Sequence, residues 1–266
     1  MPPRPSSPLI TLLTDFGLKD HFVGVMKGVI AAIAPRARVI DITHEIERYQ
    51  LGQARFALAQ SWPYFPTGTI HVAVVDPGVG TARRPILVAT ANHRFIGPDN
   101  GIFSDLLDLP GTKVRHIANT KLFLPNVSAT FHGRDIFAPV AAHLAAGVAA
   151  SRVGPLVTDA IKLPPRRAVQ TSERTWTGQI VSVDRFGNLI TNLSLAELPD
   201  LTRRRFVLQL GSAQLSALAP DYASGPAGQT IAIAGSSGYL EIAVNQDSAA
   251  SRLGLGCGAP VELTIS

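Results

Sequence analysis

The sequence predicts an α/β fold in two parts: an N-terminal, mainly parallel αβα sandwich and a smaller C-terminal all-β barrel. Three observations predict it. Apolar runs of strand length alternate with helix-spaced runs through about residue 150. The alternation stops near residue 155, where Gly154-Pro155, Pro164-Pro165 and Arg166-Arg167 cluster. Short strand-like runs separated by turn residues follow, with no long helix pattern. The length, 266 residues and 28.2 kDa, exceeds a single core of common size, since domains run to about 100–150 residues. The expected division is an α/β domain over 1–160, a linker over 161–171 and a β domain over 172–266.

Taken in order, residues 9–14 are continuously apolar, as in a strand buried on both faces. Residues 21–34 carry Phe22, Val25, Met26, Val29, Ile30 and Ile33 at helical spacing, and Pro35 stops the run. Residues 38–42 read as a second strand and 51–61 as a second helix, ended by Pro63. Strands are expected at 69–75, 85–90 and 93–96, and a late helix at 136–149. Strand, helix, strand, helix, strand argues for βαβ units. In the second part, strands are expected at 177–183, 189–191, 206–210, 230–234, 239–244 and 260–265.

Composition narrows the class. A 46 % hydrophobic and 16 % charged chain can build a sizeable core. Mean hydropathy is +0.20, yet no run reaches the roughly 18 apolar residues of a membrane span. Net charge is +5, from 24 basic and 19 acidic residues. That excess is small and scattered, dense only at Arg166-Arg167 and Arg203-Arg204-Arg205, so neither nucleic acid nor membrane is expected as a partner. The single cysteine, Cys257, excludes an internal disulfide and a cysteine zinc site. The first residues lack a secretion-signal pattern, since Asp15 interrupts the apolar run. The expected location is the cytoplasm.

In open α/β sheets, ligands sit beyond the carboxyl ends of strands. Asp15, Asp41 and Asp76 fall there, each equally able to serve as a turn or cap residue. Two acids leaving neighbouring strands favour a site. Gly78-Val79-Gly80 opens like a dinucleotide loop, but Arg83 stands where the third glycine is due, and no P-loop is present. His44-Glu45 lacks a second histidine, since position 48 is Arg48. Asp15, Asp20 and Asp76 are the only set that suggests a hard cation, and no metal is expected. Phe131-His132-Gly133-Arg134-Asp135 precedes a helix, which Asp135 or Gly133 can cap. Asp184-Arg185-Phe186-Gly187-Asn188 can be a hairpin turn. Gly235-Ser236-Ser237-Gly238-Tyr239 can form a backbone nest for a carboxylate.

In order, Thr14-Asp15-Phe16-Gly17 with Asp20, Asp76-Pro77-Gly78-Val79-Gly80-Thr81-Ala82-Arg83, Gly97-Pro98-Asp99-Asn100-Gly101, Phe131-His132-Gly133-Arg134-Asp135, Phe186-Gly187-Asn188 and the segment 236–245 form a specific set. The set resembles the S-adenosyl-L-methionine (SAM) hydroxide adenosyltransferases, SAM hydrolases related to the fluorinase and chlorinase. The resemblance implies hydrolysis of SAM to adenosine and L-methionine, with SAM as substrate and no cofactor. It implies a homotrimer with SAM held between the N-terminal domain of one subunit and the C-terminal domain of the next. It places the water-activating trio at Asp76, Arg83 and His132, with Arg84 a rival for the arginine. It puts the ribose on Asp15, adenine near Asn188 and the stretch from Glu241 to Val244, aromatic contact on Phe186 and Tyr222, and the methionine end on Asp184, Ser236 and Ser237. Asp20, Tyr49 and Tyr239 join the substrate-binding set. Asp76 and His132 with the hydroxyl-free Gly133 match the water-using branch. The alternatives are a SAM or adenosine binder without turnover and a halide-using adenosyltransferase.

The implied chemistry needs little acid catalysis, because a sulfonium releases a neutral thioether. Bulk water is a poor nucleophile, with a pKa of about 15.7. Asp76 or His132 can take its proton as the C–O bond forms, worth roughly 10²–10⁴-fold. Arg83 would stabilise negative charge on the oxygen. Alignment of water, C5′ and sulfur can contribute about 7–11 kcal/mol.

Overall fold

The computed structural model describes residues 7–198, 201 and 203–266, and the chain divides into two compact units, Met1–Pro165 and Arg166–Ser266. It is a mixed α/β protein with one large sheet in each unit.

The first unit contains β1 (Leu9–Thr14), α1 (Phe22–Ile33), β2 (Arg38–Thr43), α2 (Leu51–Ser61), β3 (Ile70–Val74), β4 (Pro85–Ala89), β5 (Arg94–Pro98) and β6 (Lys113–His116). A π-helical turn (Gly133–Phe137), α3 (Ala138–Ala145) and β7 (Leu156–Val157) complete it. The seven strands run in the order β2-β1-β3-β5-β4-β6-β7. The sheet is not mainly parallel, as the alternation had suggested. Pairings among β2, β1, β3 and β5 are parallel, whereas β5 with β4, β4 with β6 and β6 with β7 are antiparallel. The reason is the short connection from β4 to β5, which closes on itself through Thr90 N–H to the His93 carbonyl at 3.0 Å. So short a link permits only an antiparallel pair; a parallel one needs a crossover of a dozen or more residues.

Alternation along β1 and β3 builds two cores. Ile10, Leu12, Val72 and Val74 pack with residues of α1 and α3, while Leu13, Ala73 and Val75 pack with Ala54 and Leu58 of α2. Helices therefore cover both faces of the sheet. At the start of the span expected as a linker, Ile161 N–H donates to Asp99 Oδ1 at 2.8 Å, Leu163 N–H to Ser104 Oγ at 2.8 Å, and the Pro164 carbonyl accepts from Arg55 at 3.2 Å.

Toward the other end of the strands lies a buried polar chain. Thr11 Oγ1 meets His71 Nδ1 at 2.8 Å, and His71 Nε2 meets His93 Nδ1 at 3.2 Å. His71 stacks on Phe95 with centroids 4.8 Å apart. Burial, reinforced by His93, pushes the His71 pKa down from 6.5 to about 3. The unfolded chain therefore binds a proton that the folded one refuses, and stability falls as pH drops from about 6.5 toward 3. In urea titrations across that window, His71→Phe is expected to flatten the slope of stability against pH by up to one proton, about 1.36 kcal/mol per pH unit. Identical slopes for variant and wild type would overturn this assignment.

The second unit contains β8 (Val169–Ser172), β9 (Thr175–Val183), β10 (Leu189–Ser194), β11 (Phe206–Leu210), β12 (Ala213–Leu215), β13 (Leu218–Ala219), β14 (Thr230–Ala234), β15 (Tyr239–Val244), α4 (Ala249–Leu253) and β16 (Pro260–Ile265). Its nine-stranded sheet follows the path β12-β11-β16-β9-β10-β15-β14-β13, with β8 on β9. The pairings are antiparallel except β13 with β14. Inward residues such as Ile180, Leu208, Leu240 and Leu263 form one core. The helix α4 means the unit is not purely β. Ser248 caps it, accepting from Ser251 N–H at 3.1 Å, and Gly254 ends it at φ +64°. No helix among the described residues is long and apolar enough to cross a membrane.

Candidate active site

Thr14 at the end of β1 lies opposite Val74 at the end of β3. Parallel neighbours thus deliver Asp15 and Asp76 side by side at the carboxyl edge of the sheet. Thr14 Oγ1 accepts from Phe16 N–H at 3.2 Å and contacts His44 Nδ1 at 2.8 Å, which fixes the turn out of β1. Asp15 Oδ2 accepts from Tyr49 N–H at 3.1 Å, and Tyr49 sits at φ +66°. A non-glycine residue held there stores strain of the sort that collects at functional sites. Burial raises the Asp15 pKa, opposed by the Tyr49 N–H and aided by the nearby Asp76 charge.

The loop after β3 turns back tightly, with Val79 N–H to the Asp76 carbonyl at 3.3 Å and Thr81 Oγ1 to the Gly78 carbonyl at 2.7 Å. This brings Arg83 onto Asp76. Arg83 Nε donates to Asp76 Oδ1 and Oδ2 at 3.0 and 2.9 Å, and Nη2 also donates to Oδ2. Arg83 Nη2 lies 2.8 Å from His132 Nδ1. The side chains of Arg83 and Asp76 are only 9 % and 5 % exposed, and the guanidinium lies 5.3 Å from the Phe137 ring centroid. Arg84 faces elsewhere, tied to Asp99 at 2.7 Å and to Asp159 at 2.8 Å. Of the two arginines, Arg83 is the one that reaches Asp76 and His132.

His132 stands at the entry of the π-helical turn. Such turns are rare and concentrate at functional sites. Asp135, fully buried, does not cap a helix. It holds the preceding loop by accepting from Ser128 N–H at 2.8 Å and pairs with Arg134 at 2.6 Å. Burial, followed by the Arg83 charge, lowers the His132 pKa. Asp41 belongs to a different arrangement, bound to Lys27 at 2.6 Å and His44 at 3.1 Å.

Asp15, Asp20, Tyr49, Asp76 and His132 line one cleft of about 350 Å³. Its apolar wall is an aromatic group the sequence reading did not single out: Phe16, Phe22 and Phe131, with centroids 5.1–5.9 Å apart. Arg48 also lines it. Their signal was present, since Phe16 and Phe131 lie within the quoted motifs and Phe22 two residues past Asp20. Gly133 closes the wall; a Cβ there would lie 3.2 Å from Met26 Sδ and 3.2 Å from Phe16. Among the described residues, no group of three or more His, Cys, Asp and Glu could hold a metal ion.

The remaining predicted residues gather in the second unit. Asp184 Oδ1 accepts from the N–H groups of Phe186 and Asn188 at 2.9 and 2.8 Å, and Oδ2 from Asn188 Nδ2 at 2.9 Å. The carboxylate thus shapes its own turn, which leaves Phe186 78 % exposed. Tyr222 donates to Glu241 Oε1 at 2.7 Å. Burial raises the Glu241 pKa, and the Glu241 hydrogen bond pushes the Tyr222 phenol up to about 12. Gly235 leaves room for that carboxylate, as a Cβ there would come 2.8 Å from Glu241 Oε2. Ser236 and Ser237 lie in the turn before β15, and Tyr239 opens that strand. The Val244 side chain, by contrast, is buried in the core.

Comparison with known proteins bears on both units. The family described as SAM hydroxide adenosyltransferase N-terminal domain matches residues 10–154, and the corresponding C-terminal domain family matches residues 178–262. The chain is 39 % identical to the (R)-S-adenosyl-L-methionine hydrolase of Thermus thermophilus, over 96 % of this chain and 98 % of that protein. A fluorinase from Actinopolyspora mzabensis is more distant, at 26 % identity over 98 % of each chain. An uncharacterised conserved protein of Thermotoga maritima superposes with a TM-score of 0.88 at 38 % identity, over 96 % of this chain and 99 % of that one. With both domain families matched in order, the chain belongs to the SAM hydroxide adenosyltransferase family.

Proposed function

We propose that the protein hydrolyses SAM to adenosine and L-methionine by in-line attack of water on C5′. The observation that carries this reading is the Asp76–Arg83–His132 cluster, two of whose members line the cleft at the ends of β1 and β3. Water held there attacks C5′ as the C5′–S bond breaks. Sulfur keeps the electron pair and leaves as the neutral thioether of methionine. The proton of the attacking water passes to a member of the cluster, a step worth roughly 10²–10⁴-fold. The aromatic wall excludes bulk water from the reacting atoms, which strengthens each charge interaction inside. Asp15 receives the ribose, Tyr49 supplies an aromatic over the substrate, and Asp20 joins the substrate-binding set.

The turn at Asp184, Phe186 and Asn188, with Tyr222, Ser236, Ser237, Tyr239, Glu241 and Val244, supplies the adenine and methionine contacts in this reading. The family resemblance is what supports a trimer, in which each site takes its N-terminal residues from one subunit and its C-terminal residues from the next. SAM is the substrate and no cofactor takes part. The cytoplasm is the proposed location. The crowding at Gly133 by Met26, Phe16 and Phe131 supports water over a halide held by a side-chain hydroxyl.

Incubation with SAM in ¹⁸O-water is expected to give adenosine labelled at the 5′-hydroxyl, together with methionine. Unlabelled adenosine would sink the hydrolytic reading. Tight binding without product would leave a binder, and 5′-halo-adenosine formed on adding chloride or fluoride would leave a halide-using enzyme.

A further inference from the structure

Arginine has no acceptor, so the 2.8 Å contact between Arg83 Nη2 and His132 Nδ1 has one polarity. Nη2 carries two hydrogens. One goes to Asp76 Oδ2, and the other to the lone pair of His132 Nδ1. A neutral imidazole that accepts at Nδ1 carries its proton on Nε2.

The one lone pair a neutral imidazole offers is thus spent on Arg83. We propose that His132 is a positioning residue, held as the Nε2–H tautomer by Arg83, and that Asp76 takes the proton of the attacking water. This rests on the hydrolytic reading above and separates the trio into one proton acceptor and two groups that hold it. The ionisable groups facing His132 are Arg83, Asp76 and Asp135. Arg83 and burial, the larger effect, oppose a second proton on the ring, which would also set two cations against each other at Nδ1.

The step balances without a strong base. The water oxygen bonds to C5′ while sulfur departs with the C5′–S pair. The incipient oxonium on the 5′-oxygen is a strong acid, and its proton moves to a carboxylate oxygen of Asp76, then to solvent. An ionised carboxylate offers about four lone-pair sites. The Arg83 hydrogen bonds leave acceptor capacity on it.

The test is ¹⁵N NMR of the wild-type protein labelled at histidine, with the His132 ring signals identified by their loss in His132→Asn. Nε2 protonated and Nδ1 bare at neutral pH is the expected result. A proton on Nδ1, or on both nitrogens, would overturn the proposal. Kinetics give an independent readout. His132→Asn keeps an acceptor for Arg83 in its Oδ1 but has no ring base, and is expected to lose less than about tenfold in kcat, the scale of one weakened hydrogen bond. Asp76→Asn is expected to lose about 10²–10⁴-fold. Equal losses would also overturn it. The tautomer is read on wild-type protein without substrate, so it stands or falls separately from the ¹⁸O experiment and from any variant that fails to fold.

Discussion

Asp76→Ala is expected to leave a protein that still takes up SAM but turns it over about 10²–10⁴ times more slowly, the usual worth of a positioned general base. The residue touches the cleft, and its oxygens are the anchor for Arg83. Two losses therefore coincide. The proton acceptor goes, and a guanidinium only 9 % exposed loses its carboxylate. Breaking a buried pair by removing one partner costs about 3–5 kcal/mol, so the variant also melts earlier. Steady-state kinetics well below its Tm, with SAM affinity measured by calorimetry, separates the two effects. A kcat that collapses while affinity holds assigns Asp76 to the reaction. Parallel losses in kcat and affinity would make it a binding residue.

Gly80→Ala should be nearly as damaging, although Gly80 bears no functional group. Its φ is +79°, and a Cβ there would collide with the Ala129 carbonyl oxygen. The contact joins the loop that carries Asp76 and Arg83 to the loop that leads into His132. Left-handed backbone costs an L-residue about 1–2 kcal/mol, and overpacking adds about 1–3 kcal/mol. Relief requires the loops to part, which stretches the Arg83 to His132 contact of 2.8 Å. A misplacement of about 1 Å can cost about 10²-fold in rate. Gly78→Ala is the control, since its Cβ would meet Arg83 Cγ and Thr81 Oγ1 at an ordinary 3.4 Å. Should Gly80→Ala match wild type in both Tm and kcat, the two loops are not joined at this point.

The helices and most buried strands were legible because each carries a continuous apolar signal. The run 21–34 shows its stripe, and α1 spans Phe22–Ile33. The strands at Phe206–Leu210, Thr230–Ala234, Tyr239–Val244 and Pro260–Ile265 stand where the alternation put them. What lacked that signal was missed. Lys113–His116 reads KVRH and has no fully buried side chain, and Val169–Ser172 is exposed throughout. Such strands exist because a neighbour offers a hydrogen-bonding edge, which a one-dimensional pattern does not display. The parallel expectation failed for a similar reason: strand direction depends on the connection, and the link between β4 and β5 is too short to cross over. The late helix was expected from 136, but its first turn is the π-helical Gly133–Phe137, for which hydrophobic spacing has no mark.

At the site, Asp15 and Asp76 were visible as acids leaving strands, and the resemblance supplied Arg83 and His132. Sequence could not separate Arg83 from Arg84. Adjacent arginines look alike until one is seen on Asp76 and the other on Asp99 and Asp159. Ser128 and Asp135 were invisible as supports, because a backbone N–H bound to a carboxylate leaves no trace in residue type.

The π-helical turn holds one residue more than an α-helical turn would use to cover the same distance. Each helical residue turns the chain by about 100°. A single-residue deletion within Gly133–Phe137 would let α3 run on in register with its core contacts intact, yet swing His132 away from Arg83. This part of the protein is therefore indifferent to many conservative exchanges and intolerant of a change in chain length, so drift among its descendants should preserve the spacing between histidine and helix even where the side chains along it are replaced.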